Sequence, residues 1–308
     1  MIRNWPIVLS TFVGVLSLVG CGVNTGPTQP VTSAAELTIS AAQTQTIDRL
    51  ARFEQTQLSR GLMRTDGGGA DTPFDMRDVQ RHFQDIAFYN EYDVSRGFAR
   101  VTQASKLEKW TVPIRFNLVF GASLAPDRVK FAKANVTKYV EKLHRITGHP
   151  MTLSARNSNF DVLFMAHDDE QELNAFLKSR EPKVGAMAQH IVAMMPRDVH
   201  CMVMAFSNAD RQQGYTHAIA LIRGEHPPLM QRACIEEELA QGLGLANDSP
   251  YARPSIFNDD DEFATLTSMD EVMLQMLYDP SLRPGMTLDQ ARPYIYDIAK
   301  RLNASQSE

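Results

Sequence analysis

The segment from Pro227 to Asp248 does most to limit the folds open to this chain. Pro227-Pro228 suits a helix start, where a missing N–H leaves no hydrogen bond unmade, and Gly244 suits a helix end. At about 100° per residue, Ile235, Leu239 and Leu243 share one face, the natural core face. Cys234, Glu237, Glu238, Gln241 and Leu245 share another. Two carboxylates and an amide at i, i+1 and i+4 therefore look out together.

At 308 residues the chain can bury a full core with a satellite segment. Apolar residues make up 44 % and charged residues 22 %, the balance of a soluble globular protein. A formal charge of −5, with no lysine-arginine block, argues against a nucleic-acid partner.

Residues 1–20 read as a leader outside the fold. Arg3 gives it a positive start, and Ile7 to Val19 form an apolar run too short to span a membrane as a mature helix. The run ends in Leu18-Val19-Gly20-Cys21, which resembles a lipobox, where bacterial lipoproteins are cut before a cysteine that is then acylated. The likeness implies lipid on Cys21 and anchoring to a membrane without a transmembrane helix. Gly22 is not the aspartate that retains lipoproteins in the inner membrane, which implies an outer-membrane anchor facing the periplasm. That compartment permits disulfides. With Cys21 taken by lipid, Cys201 and Cys234 remain as one even pair and are expected to bridge.

Residues 21–42, rich in Thr, Pro, Ser, Gln and Ala, read as a flexible tether. Residues 43–105 read as a helical N-terminal extension. One helix is expected from about Thr44 to Met63, then a break at Gly67-Gly68-Gly69, then a helix opened by Asp71-Thr72-Pro73 that runs to Tyr89. The main domain, 106–308, opens with period-two alternation from Trp110 to Phe120, a strand in which Pro113 marks an edge or an early position. A long helix from Pro126 to Ile146 follows. Met151 to Ala155 and Phe160 to Ala166 read as a hairpin or paired strands about Arg156-Asn157-Ser158-Asn159. Helices are expected at Asp168 to Lys178 and Val184 to Met195, and strands at His200 to Phe206 and Tyr215 to Arg223, turning at Asn208-Ala209-Asp210. After the Pro227 helix come an acidic run at Asn258 to Glu262, a helix from Ser268 to Tyr278 and a last helix from Leu288 to Leu302. The class is α+β: a mixed sheet, a backing helix and a small helical C-terminal lobe.

This order is similar to that of zinc-dependent proteases of the zincin class. They set a backing helix after the first strand, an edge strand before the active-site helix, and a small lobe that closes the cleft. Glu237-Glu238-Leu239-Ala240-Gln241-Gly242-Leu243-Gly244-Leu245-Ala246-Asn247 resembles the metzincin run H-E-x-x-H-A-L-G-L-x-H. Glu238 stands on its general-base glutamate and Gly244 on its turn glycine. Glu237, Gln241 and Asn247 stand on its three histidines. Ser255-Ile256-Phe257 resembles a Met-turn with Phe257 in the place of methionine. The region from Trp110 to Leu302 also resembles a bacterial lipoprotein family known as domain of unknown function 2927. Its marks are Gln241-Gly242-Leu243-Gly244-Leu245, Pro254-Ser255-Ile256-Phe257-Asn258-Asp259 and Leu277-Tyr278-Asp279.

A catalytic zinc takes three protein ligands and leaves a place for a water that the glutamate deprotonates. Here amides stand at two of the imidazole positions, and an amide oxygen is a weak, uncharged ligand. A turn shifted by one residue would let Asp248 join Glu237 and Gln241 in an all-oxygen set suited to calcium, magnesium or manganese. The expectation is a zincin-like, non-catalytic domain without a cofactor, binding an envelope protein or peptide along its edge strand. The alternative is a hydrolase with a divalent cation on Glu237, Gln241, Asn247 or Asp248 and Glu238 as base. A third reading is a carboxylate-only enzyme, or a likeness confined to helix and turn.

Overall fold

A computed structural model describes residues 38–93, 99–180, 182–194, 199–207, 213–258 and 260–305. The leader, Cys21, most of the tether and the turn at Asn208 to Asp210 lie outside the described residues. Helix α1 (Ala41–Ser59) starts inside the stretch that reads as tether, because the Ser40 hydroxyl accepts the Gln43 N–H as an N-cap. Its Leu50 is buried with Met63, Met230 and Ala264. Helix α2 (Met76–Ala87) starts later than Pro73 suggests, where Asp75 and Asp78 form a capping box. The chain then makes an antiparallel ribbon, β1 (Tyr89–Asp93) and β2 (Ala99–Ala104), where the sequence reading has no strand. Residues Leu37–Glu308 form one unit.

The main sheet is built from β3 (Ile114–Phe120), β4 (Met151–Leu153), β5 (Phe160–Met165), β6 (Cys201–Ser207) and β7 (Tyr215–Arg223). Its order is β4-β3-β5-β7-β6. β3 runs parallel to β4 and β5, and β5 to β7, while β6 lies antiparallel to β7 at the sheet's end. Helix α3 (Pro126–Thr147) makes the crossover from β3 to β4 that parallel neighbours require.

The expected pairing of the fourth strand with the fifth is overturned, since β3 lies between them. The Ser154 N–H donates to the Phe116 carbonyl. The Asn159 side chain then serves the entry to β3, accepting from the Arg115 N–H at 2.7 Å and donating to the Pro113 carbonyl at 3.0 Å. The turn chemistry at Arg156 to Asn159 thus carries the chain past the start of β3 instead of back along β4. Pro113 precedes β3, and the alternation visible from Trp110 outruns the strand because Trp110 makes an isolated bridge to Gly214.

β5 is buried at every position, as a central parallel strand covered on both faces must be. Phe160, Val162 and Phe164 face α3 and α6 (Pro228–Gln241), packed with Val136, Leu143, Ile235 and Leu239. Leu163 and Met165 face α4 (Glu170–Lys178) and α5 (Pro182–Met194) through Leu173, Leu177, Ala188 and Ile191. Helices α7 (Ser268–Leu277) and α8 (Leu288–Ser305) complete the fold and pack with α2. The class is α+β, as the order of elements predicts.

Candidate functional site

α6 is buried nearly all round, so its polar residues are defined by what holds them. Cys234 is bonded to Cys201 at the start of β6, with Cα atoms 5.9 Å apart, which pins the helix to the end strand. The Glu236 carboxylate accepts from Arg232 Nε at 2.8 Å and from the Leu266 N–H at 2.9 Å, and its carbonyl accepts the Tyr139 hydroxyl at 2.7 Å. These bonds tie the helix to α3 and to the C-terminal lobe. Sequence signals only the i,i+4 pair of Glu236 with Arg232, because the Leu266 N–H and the Tyr139 hydroxyl come from distant segments.

Glu237 and Glu238 gather at the other side of the helix with Cys201, and a carboxylate oxygen of each and the Cys201 sulfur lie within 4.8 Å of one another. Glu238 is buried and Glu237 half-buried. The sulfur belongs to the disulfide, so it offers no thiolate to a metal. Gln241 donates from Nε2 to Asp248 Oδ1 at 3.0 Å. Asn247 donates from Nδ2 to the Asp85 carbonyl at 2.9 Å and from its N–H to the Ile86 carbonyl at 3.1 Å. Both carbonyls belong to the last turn of α2, which lacks helical partners for them. The structure thus brings Glu237 to Glu238 and Gln241 to Asp248, and turns the Asn247 amide to α2. Two carboxylates, amides and a bonded sulfur do not fit zinc, which prefers imidazole and thiolate.

The end of α6 is held by a collar of side chains. Trp110 donates from Nε1 to the Gly242 carbonyl at 2.9 Å, and the Tyr278 hydroxyl donates to the Leu243 carbonyl at 3.1 Å, satisfying acceptors that a helix end leaves open. Lys109 does the same for α7, donating from Nζ to the Leu277 and Asp279 carbonyls at 2.8 and 3.1 Å. Burial pulls its ammonium down to about 8. Gly244 has φ +127°, and a Cβ there would stand 2.2 Å from the Glu108 carbonyl oxygen.

Beneath this end, the Ser255-Ile256-Phe257 turn is fastened by Asp270. Its carboxylate accepts from Ser255 Oγ at 2.6 Å, the Ile256 N–H at 3.0 Å, and the Thr267 N–H and hydroxyl at 2.9 and 2.8 Å. Burial raises the Asp270 carboxyl to about 6, against the pull of those bonds. Asp270→Asn sets an amide N–H₂ against one set of donors and is expected to cost about 2–3 kcal/mol at neutral pH. Urea unfolding midpoints check this, and an unchanged midpoint would refute the fastening role.

A groove of about 360 Å³ lies between the end of β6 and the root of the β1–β2 ribbon. Phe206, Tyr215, Met187, Ala246, Lys106 and Glu108 are among its lining residues. Glu108 is buried there and accepts the Ser207 hydroxyl at 2.8 Å.

The fold defines an α+β domain on a mostly parallel five-stranded sheet. Residues 76–297 match the family described as protein of unknown function (DUF2927), and the chain belongs to that family. No curated protein and no solved structure matches the chain.

Proposed function

We propose that this chain is a lipid-anchored, periplasm-facing envelope protein whose zincin-like domain binds an extended polypeptide along β6 and does not hydrolyse it. The groove at the sheet's end strand carries this reading. A terminal strand can add a peptide through main-chain hydrogen bonds, and the adjoining groove of about 360 Å³ takes side chains. The zincin likeness is supported by the order of β3, the backing helix α3, the antiparallel end strand β6, the internal strand β7 and then α6, with Gly244 at the turn after it. The non-catalytic reading is supported by the chemistry of Gln241 and Asn247, whose amides are engaged by Asp248 and by α2. The leader and Cys21 support the anchor.

Metal content and peptide hydrolysis of the purified chain, compared with Glu238→Gln, test the site. No stoichiometric metal is expected, and no turnover in either protein. One metal per chain, with hydrolysis lost in Glu238→Gln, would overturn the reading in favour of a metallohydrolase with Glu238 as base. Cys21→Ser is expected to move the protein out of the membrane fraction, and persistence there would refute lipid anchoring.

A further inference from the structure

We infer that α1 is a releasable plug: its Gln43 side chain closes a crevice at the carboxyl ends of β3 and β5, and the helix leaves the domain as a unit to open it. From β3 the chain departs into α3 on one face of the sheet, and from β5 into α4 on the other. Where neighbouring parallel strands send their connections to opposite faces, a crevice is left outside their carboxyl ends, and open α/β sheets bind ligands there. In this chain the place is taken from within. Gln43, 3 % exposed, donates from Nε2 to Ser123 Oγ at 3.2 Å, and its Oε1 accepts the Asp168 N–H at 3.1 Å. Ser123 follows the end of β3 and Asp168 the end of β5. Ser40, at the cap of α1, donates its N–H and its hydroxyl to the Asp168 carboxylate.

The rest of the helix is held in the same way. The buried residues of α1 are Gln43, Leu50 and Gln57, so two amides accompany one apolar side chain. Gln57 donates to the Asp261 carboxylate. Glu54 accepts the Met230 N–H at 2.8 Å in the first turn of α6, whose cap Pro227 brings no side-chain acceptor. Gln43, Leu50, Glu54 and Gln57 recur at helical spacing and form the one face that α1 turns to the domain. An interface held by side-chain hydrogen bonds over little buried apolar surface opens at a lower cost than global unfolding. α1 also lies outside residues 76–297, the span that matches the family.

Residue-resolved hydrogen exchange of the full chain in detergent is the first test. The Asp168 and Met230 N–H groups lie outside α1 but are held by its Gln43 and Glu54, so they report its release. Both are expected to exchange in step with the α1 amides, at least about tenfold faster than the Gly121 N–H that the Phe164 carbonyl holds in the sheet. Dilute urea is expected to leave the first set nearly unmoved and to speed the second steeply. Exchange of α1 at the rate and urea dependence of the sheet overturns the inference. So does exchange of α1 without those two amides, which is fraying of the helix ends. The second test is maleimide labelling of Ala264→Cys, a position buried in one cluster with Leu50, against the unsubstituted chain as background. Adding Gln43→Ala and Gln57→Ala is expected to speed that labelling roughly tenfold, still with little dependence on urea. An unchanged rate, or a gain with the steep urea dependence of global unfolding, overturns the inference.

Discussion

Gly244→Ala is expected to lower the unfolding free energy by roughly 3–5 kcal/mol, near the upper end of what a single methyl group does. Two effects add. The backbone at φ +127° is one that side-chain-bearing residues rarely adopt, and the new Cβ would stand 2.2 Å from the Glu108 carbonyl oxygen and 3.2 Å from Leu277 Cδ2. The first obstacle is main chain, and its neighbours Lys109 and Trp110 are themselves held at the ends of α7 and α6, so the strand entry cannot move aside alone. Gly148, which ends α3 at φ +66°, provides the comparison, since nothing lies within 4 Å of a Cβ built there. Gly148→Ala meets only the left-handed backbone cost of about 1–2 kcal/mol. Urea midpoints of both variants separate the two causes. Equal losses would show that close approach is not what requires glycine at 244.

The contrast marks how far the sequence reaches. Gly244 is legible as a break after an apolar periodic run, but as a helix end it is three residues late, since α6 stops at Gln241 with Gly242 as its cap. Its reason is not legible, since it lies in the carbonyl of Glu108, far away in the chain. The core face of α6 follows the same rule: Ile235, Leu239 and Leu243 repeat at helical spacing and are all fully buried. Glu236 looks like any surface acid until the Leu266 N–H, 30 residues on, is known to meet it. Arg156 to Asn159 carries turn chemistry that fits a hairpin as well as a bypass of β3, and pairing with a distant strand decides between them. The bridge of Cys201 to Cys234 follows from counting, once Cys21 is set aside. The candidate site divides likewise. The placement of Glu237 beside Glu238 follows from helical spacing, whereas the groove needs β6, α5, the ribbon and the 105–108 segment together.

The second large effect concerns acid. His226, at the foot of α6, is fully buried, with Nε2 2.9 Å from the His200 carbonyl oxygen and 3.8 Å from Cys234 Sγ. Burial drives its pKa down to about 3, helped by the nearby charges of His200, Arg223 and Arg128 and opposed by the bond to the His200 carbonyl. The fold therefore holds a neutral imidazole whose Nε2–H donates to that carbonyl. An unfolded chain takes up the proton near the ordinary histidine value of about 6.5. Between about 6.5 and 3 the unfolded state binds more protons than the folded one, so stability is full above the window and falls as pH drops through it. The slope is about 1.4 kcal/mol per pH unit, and the total loss across the window is on the order of 5 kcal/mol. His226→Phe removes the titrating group and leaves the His200 carbonyl without this donor, at a cost of about 1–2 kcal/mol at neutral pH. Urea unfolding from about pH 7 to pH 4, with the disulfide intact, should find the variant weaker at the neutral end and stronger at the acid end. Asp270 works in the opposite sense, because its raised carboxyl gains a proton in the folded state first and so adds stability as pH falls below about 6. The informative quantity is therefore the difference between the two proteins, from which Asp270 cancels. A difference that stays constant across the range would remove His226 as the source of acid sensitivity.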